Sequence, residues 1–471
     1  MTLLEFICTF QMHKFNLAER SYPVFNFAGK GVQFQTETLF NLSGQTVQFD
    51  PAYSLKAQNE TLISGNQKQL FLTDELAKLL GAEDTTTFRV VKRQNKIEIY
   101  PNIHSLAKVY IEPTTLCNLN CRTCIRKTWH EPLGSMKLEV FDGLLEQLKE
   151  FKSLQTVMFG GFGEPTFHKD ILYMIGKVKA LGLKAEMVTN GTLLNEAMLQ
   201  GMLDNGLDTL WVSFDGTSED SFDDIRAGAS FIEVVQNLRR LKELNQQTTH
   251  KIKVGIAFVV MKRNIKELRK LGTLAQTVGA EMVSVSNVIP YSSDMLDQMV
   301  CARILWANSI SYYSRSLPIN LPFIDRTETT KQTLFELFRD YNNISIMRNH
   351  IDTEAGSCRF VKERCTFIKW DGTVSSCMGL LHSYKTYFTT GRAEREVTAY
   401  VLGDTRKNSL KEIWDGQEYH DFREKVDEFD FSPCLQCGPC DLAEKNEEDC
   451  FGNKFPTCGG CLWAQGVIQC P

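Results

Sequence analysis

The stretch KVYIEPTTLCNLNCRTCIRKTW, residues 108–129, decides how this chain is read. A short apolar run at 109–111 stops before Pro113, and a loop with three cysteines follows. These are Cys117, Cys121 and Cys124, separated by three and then two residues. Three thiolates on one loop can hold three irons of a 4Fe-4S cubane and leave the fourth iron open to a chelating ligand. A zinc site takes four ligands, commonly as two C-x2-C knuckles, and this spacing does not supply them.

Downstream of that loop, apolar runs recur at 156–159, 185–188, 210–214, 254–260 and 282–285. Helical patterns lie between them: Ile171, Ile175 and Val178; Phe222, Ile225, Val234, Val235, Leu238 and Leu241; Ile265, Leu268 and Leu271. Thr217 with Asp220 forms a capping-box signature ahead of the second of these. Six β/α units with short connections over 107–290 predict an α/β fold with a parallel sheet, doubly wound or barrel. In such sheets ligands bind at the C-terminal ends of the strands.

The flanks read differently. Residues 1–106 are rich in β-branched and aromatic residues with turn signals, which predicts a small β-rich domain. Within it, 68–101 reads as strand, short helix, strand, turn, strand, with Thr73 as cap and Leu76, Leu79 and Leu80 as the apolar face. That order resembles the AbrB-like swapped hairpin of transition-state regulators, but the segment lacks a basic face, so docking or packing is expected in place of DNA binding. Residues 291–357 read as mostly helical. Residues 358–471 carry ten cysteines with Gly and Pro between, and few apolar runs, so a region organised around metal is expected.

Composition narrows the class. The 471 residues are 43% hydrophobic and 23% charged with a net charge of −5, as in a globular chain without the excess of basic residues that nucleic-acid binding needs. No run of eighteen apolar residues occurs, and MTLLEFICTF has no basic n-region, so neither a membrane span nor a signal peptide is expected and the setting is read as cytoplasmic. In that setting fifteen cysteines point to metal or redox chemistry over disulfides. Cys8 and Cys301 stand alone and read as buried small hydrophobes.

Three further motifs arrive at strand ends: GGFGEP at 160–165, Thr189-Asn190-Gly191, and VSFDGTSEDSFDDIRAG at 212–228. With the cysteine loop, their order resembles the radical S-adenosylmethionine (SAM) superfamily. The resemblance implies a partial (β/α)6 barrel, a SAM-binding 4Fe-4S cluster on Cys117, Cys121 and Cys124, and SAM itself as cofactor. Gly161 and Gly163 would let backbone approach SAM, and Glu164 would accept from its amino group. Asn190 would contact the ribose. The resemblance also brings Ser213 and Arg226 to SAM, with the Arg226 fork on the methionine carboxylate. Asp215 reads as a turn residue. Thr123 stands where many family members have an aromatic, which leaves Trp129 as the candidate for adenine stacking.

Cys358, thirteen residues, Gly372, four residues and Cys377 resemble the opening of a SPASM domain, which binds auxiliary iron–sulfur clusters. Cys365, Cys434, Cys437, Cys440, Cys450, Cys458, Cys461 and Cys470 complete the set of ten. Two fully ligated 4Fe-4S clusters need eight thiolates, so one or two auxiliary clusters are expected and two cysteines are surplus. The stretches at 103–129, 286–295 and 449–471 together resemble the radical SAM maturase associated with tungsten-cofactor oxidoreductases of the aldehyde ferredoxin oxidoreductase type. That resemblance implies a protein partner or its tungstopterin cofactor as substrate, and a low-potential donor such as ferredoxin or flavodoxin. A SPASM enzyme modifying a ribosomal peptide is the competing reading. Sulfatase maturases place an aspartate where this chain has Met378. A non-catalytic zinc or DNA-binding regulator is the reading of another class.

Overall fold

The six apolar runs form six parallel strands in chain order. The computed structural model describes residues 101–129, 131–301, 324–325, 327–333, 358–387, 394–432, 434 and 440–470, with the backbone of strands at 25–27, 31–34, 46–49, 69–71, 89–93, 96–100 and 344–346. The chain divides into two compact units, residues 1–107 with 151–153, and residues 108–150 with 154–471.

The first unit holds two three-stranded sheets. β1 (Phe25–Phe27), β2 (Gly31–Phe34) and β4 (Gln69–Phe71) form one, and β3 (Thr46–Phe49), β5 (Arg89–Arg93) and β6 (Lys96–Tyr100) the other. The three strands expected between 68 and 101 are therefore present, with β5 and β6 as an antiparallel hairpin, but β4 pairs with β2 in the other sheet. The helix expected after Thr73 and the lone Cys8 lie outside the described residues.

In the second unit, β7 (Lys108–Ile111), β8 (Thr156–Phe159), β9 (Lys184–Thr189), β10 (Thr209–Ser213), β11 (Lys253–Val260) and β12 (Met282–Asn287) pair in sequence order, every pair parallel. This is the partial (β/α)6 barrel. Its strands are covered on both faces, which is why they read as unbroken apolar runs: Val109 and Ile111 are buried on one face of β7 and Tyr110 on the other, as are Val157 and Phe159 against Met158 in β8. α1 (Leu138–Leu148), which no marked stripe announced, buries Phe141, Leu144, Leu145 and Leu148. α2 (Ile171–Ala180) buries the marked Ile171, Ile175 and Val178 together with Met174. Asn195 caps α3 (Glu196–Asp204) through the Met198 N–H at 2.9 Å. Ahead of α4 (Glu219–Ile225) the capping box is Ser218 with Ser221, one residue later than Thr217 with Asp220. The Thr217 hydroxyl is drawn away to the Glu267 carboxylate, a partner fifty residues on that no local pattern reveals. In α5 (Phe231–Gln247) the buried residues are Val234, Val235, Leu238 and Leu241. A 3-10 turn at Ile265–Lys270 leads into α6 (Leu271–Val278), whose end is Gly279 at φ 74.

The sheet continues past the barrel on both sides. β13 (Ile344–Ile346) adds in parallel to β12, and β14 (Cys365–Ile368) adds in parallel to β7, followed by the antiparallel β15 (Thr373–Ser375) and, beyond the separate β16 (Tyr384–Tyr387)–β17 (Glu394–Val397) ribbon, β18 (Gly403–Asp404). The C-terminal cysteine region also has an apolar core of its own. A short helix α7 (Ser293–Gln298) follows the barrel, and α8 (Arg359–Lys362) opens the C-terminal region. There α9 (Leu410–Asp415) and α10 (Gln417–Glu428) bury Leu410, Ile413, Trp414, Tyr419, Phe422 and Val426. The Arg423 guanidinium is buried 4.0 Å from the Trp414 ring centroid, a cation–π contact. No more than two of these apolar residues are adjacent in the sequence, so it shows no long runs.

Candidate active site

The cysteine loop leaves the C-terminal end of β7 and is fastened at both ends. The Arg126 guanidinium donates to the Thr115 and Leu119 carbonyls at 3.3 and 3.0 Å. The Asn120 and Arg122 amides donate to the Ala227 and Ile225 carbonyls at 3.0 and 2.9 Å, so the loop is sewn to the end of α4, where Arg226 sits. Cys117, Cys121 and Cys124 all remain partly exposed. Burial pushes the Cys117 thiol up, opposed by the Leu119 N–H at 3.4 Å. Burial pushes Cys121 up to about 11 against the pull of the Arg226 charge. Thiols in this state shed protons when metal binds.

The donor set fits a multi-iron cluster. A single tetrahedral zinc would draw its sulfurs to about 3.8 Å of one another, given Zn–S bonds of about 2.3 Å. Among the described residues no three cysteine sulfurs come within 4.8 Å of one another. Three partly exposed thiolates on one loop can instead hold three irons of a cubane and leave the fourth iron open.

The glycine loop packs on the same strand end. A Cβ on Gly163 would lie 2.0 Å from the Thr114 carbonyl oxygen. Gly161 has φ 148, and a Cβ there would lie 2.6 Å from Glu112 Cγ. Glu164 is 2% exposed and its carboxylate already accepts four donors: the Thr166 N–H and hydroxyl at 3.0 and 2.6 Å, the Thr189 hydroxyl at 2.7 Å and the Asn190 N–H at 2.6 Å. It thus ties the end of β8 to the end of β9, and Oε2 has a single partner. Asn190 points to the cysteine loop, donating to Asn118 Oδ1 at 2.9 Å and to Cys117 Sγ at 3.8 Å. Ser213, half-buried, ends β10 opposite Ala257.

Arg226 is not a surface residue. Its Nε lies 3.0 Å from Asp215 Oδ2, and the Asp215 side chain is wholly buried. Although burial opposes its charge, Asp215, Cys121 and Glu164 together hold the guanidinium's pKa above its ordinary value. Asp215 is itself fixed by the Val259 N–H at 3.0 Å, and Asn264 donates to the Asp215 carbonyl at 2.8 Å. Sequence reasoning undervalued Asp215 and passed over Asn264; an aspartate at the end of a buried strand, eleven residues before an arginine, is the signal that was there.

A cavity of about 350 Å³ opens beside Cys124, walled by Leu119, Asn120, Arg126, Lys127, Trp129, Glu131 and Leu133. Trp129 is a wall of it, its ring tilted against His382 at 4.4 Å and edge-on to Phe162 at 5.8 Å.

In the C-terminal region burial pushes up Cys358, Cys377, Cys458 and Cys461, and the first three are raised further by one another or by Cys461. The four form one electrostatic group. Burial pushes the Cys434 thiol up, with Cys450 among the smaller causes, while Cys440 and Cys450 are exposed and Cys437 lies outside the described residues. Cys365 and Cys470 share a different setting with Lys108, Arg359 and Glu363. Cys470 Sγ accepts from Trp463 Nε1 at 3.3 Å. Cys301 is buried, as expected of a small hydrophobe.

The family model of the radical SAM superfamily matches residues 111–275, and that of the SPASM iron–sulfur cluster-binding domain matches residues 358–441. The chain is 30% identical over 77% of its length to the tungsten-containing aldehyde ferredoxin oxidoreductase cofactor-modifying protein of Pyrococcus furiosus, covering 96% of that protein. It is 26% identical over 40% of its length to the PqqA peptide cyclase of Granulibacter bethesdensis, covering 48% of it. Among solved structures, Streptococcus suis SuiB bound to its precursor peptide SuiA shares the fold at a TM-score of 0.50 and 16% identity, over 79% of this chain and 88% of that one. Among the described residues no helix is long and apolar enough to cross a membrane.

Proposed function

The chain belongs to the radical SAM superfamily, and on that premise we propose that it acts in the maturation of a tungsten-containing oxidoreductase, on the polypeptide or on its tungstopterin cofactor. As a radical SAM enzyme with a SPASM domain it binds 4Fe-4S clusters and SAM. Bound together, cluster and SAM would supply radical chemistry: one electron from the low-potential donor, passed through the cluster, would break the C5′–S bond of SAM to give methionine and a 5′-deoxyadenosyl radical able to abstract hydrogen. The protein's own residues then hold and orient. Cys117, Cys121 and Cys124 carry the SAM-binding cluster. Arg226, kept charged and aimed by Asp215, takes the methionine carboxylate, and Glu164 Oε2 takes the amino group. Gly161 and Gly163 let the loop lie flat between them, and Asn190 and Ser213 line the remaining edge.

Cys358, Cys377, Cys458 and Cys461 would hold one auxiliary cluster, and Cys434, Cys437, Cys440 and Cys450 a second. Cys365 and Cys470 are then the surplus pair. The substrate reading rests on one observation: the similarity to the Pyrococcus protein covers 96% of that protein and 77% of this chain at 30% identity. Its partners would be the oxidoreductase and a low-potential donor such as ferredoxin or flavodoxin, in the cytoplasm. The test is to express the oxidoreductase with and without this protein and measure aldehyde oxidation and tungsten content. Full activity and metal loading without it would contradict the maturase reading. Peptide modification would then lead, as the similarity to the PqqA peptide cyclase favours.

A further inference from the structure

His382 lies five residues beyond Cys377, in no motif, and is wholly buried. Each ring nitrogen meets a carboxylate: Nδ1 lies 2.5 Å from Glu131 Oε2, and Nε2 lies 2.9 Å from Glu112 Oε2. Glu112 is 1% exposed, and its other oxygen, Oε1, accepts the Phe162 N–H at 3.0 Å. Phe162 is the middle of the loop between Gly161 and Gly163. No side chain separates Glu112 from that loop, because a Cβ on Gly161 would already collide with it. At the other end, Glu131 is a wall of the cavity beside Cys124. It is steadied by Lys369 Nζ at 2.8 Å and by the Ser383 N–H at 2.6 Å. Trp129 and Phe162 cover the imidazole at 4.4 and 5.6 Å between ring centroids.

Taking two carboxylates and an imidazole out of water is costly, and a well-packed apolar trio in the same space is often as stable or more so. The cluster therefore asks for a role beyond cohesion. Its members come from the ends of β7 and β14, the cysteine loop and the segment after Cys377, and the hydrogen bonds run without a gap from the cavity wall to the glycine loop.

We propose that His382 is a positioning residue for SAM. It holds Glu112 against the Gly161–Gly163 backbone, and Glu131 links that setting to the occupancy of the cavity beside Cys124. The cysteine-rich half of the chain thereby takes part in SAM binding through a side chain that touches neither SAM nor iron. In support, although burial opposes it, hydrogen bonds to Glu112 and Glu131 raise the His382 pKa above its ordinary value, and despite partial burial hydrogen bonds from His382 and Lys369 hold the Glu131 pKa down at about 2.

The test uses the full chain, reconstituted anaerobically, as wild type, His382→Phe, His382→Gln and Glu131→Gln. SAM affinity is titrated, iron is counted, and the electron paramagnetic resonance spectrum of the reduced protein is recorded with and without SAM. His382→Phe keeps the aromatic packing and should weaken SAM binding about tenfold; Glu131→Gln, more than one hydrogen bond away from the loop, should weaken it about fivefold, in the range of couplings between linked sites. Both should alter the SAM-bound spectrum, leave the SAM-free spectrum and iron content unchanged, and His382→Gln should recover part of the loss. Should His382→Phe fail to fold, Glu131→Gln decides, since it keeps an acceptor for Ser383. Wild-type affinity and a wild-type SAM-bound spectrum in Glu131→Gln would overturn the proposal.

Discussion

Cys117, Cys121 and Cys124 come from one short loop and stay partly exposed, whereas Cys358, Cys377, Cys458 and Cys461 are gathered from the two ends of a segment more than a hundred residues long and are mostly buried. The first site is held by backbone hydrogen bonds to the end of α4 and leaves room beside the sulfurs. The second exists only once α8, β15 and the C-terminal tail have come together. An open site on a rigid edge suits a ligand that must enter and leave; a closed one suits an iron–sulfur group that stays. The same difference explains what local spacing reveals and what it hides.

Breaking the closed site should have the larger effect. Cys377→Ala leaves three thiols in a buried four-thiol group, and the metal there is part of the folding free energy. The variant should lose the irons of one cluster and become protease-sensitive within 358–470, measured by iron analysis and limited digestion. The open site should tolerate the equivalent loss: Cys121→Ala is expected to fold normally while losing SAM cleavage.

Next in size is the ion pair behind the open site. Asp215→Asn leaves the Arg226 guanidinium without its buried partner, and breaking such a pair costs about 3–5 kcal/mol, which denaturant unfolding will read. Arg226→Ala strands the buried Asp215 carboxylate in turn and should cost a comparable amount, and it should bind SAM roughly ten- to a hundredfold less tightly, the equivalent of about 1.5–3 kcal/mol for a charge-assisted contact. If both variants bound SAM as wild type does, the pair would belong to the scaffold alone.

The smallest effect is a pH dependence. His382 has its pKa raised in the folded chain, so the stability from its charge is fully present below the ordinary imidazole value, about 6.5, and is lost as pH rises through the raised value. The difference in thermal midpoint between wild type and His382→Phe should hold steady below that point and shrink at alkaline pH. A difference that grew with pH would contradict a raised His382 pKa.

The six strands, α2, α5 and the cysteine loop were legible because their signals are local: unbroken apolar runs, a 3.6-residue stripe, three thiols in one turn of chain. What escaped depends on long-range partners. Glu267 draws Thr217 out of its cap, Glu131 and Glu112 meet His382 from far upstream, and Asp215 becomes an anchor only because Val259 and Asn264 close around it. The C-terminal core escaped because Trp414, Tyr419 and Phe422 stand apart in otherwise polar helices. That Cys358 and Cys377 meet Cys458 and Cys461 could not be read from spacing, since about eighty residues separate the two pairs along the chain.

The most direct measurement takes the chain with Cys117, Cys121 and Cys124 all replaced by alanine, reconstitutes it anaerobically beside the wild type, and measures iron and 5′-deoxyadenosine together. The account predicts that the variant loses one cluster's worth of iron, keeps the iron of the C-terminal region and forms no 5′-deoxyadenosine. Continued 5′-deoxyadenosine formation, or loss of all iron, would contradict the separation of an open reactive site from a closed auxiliary one.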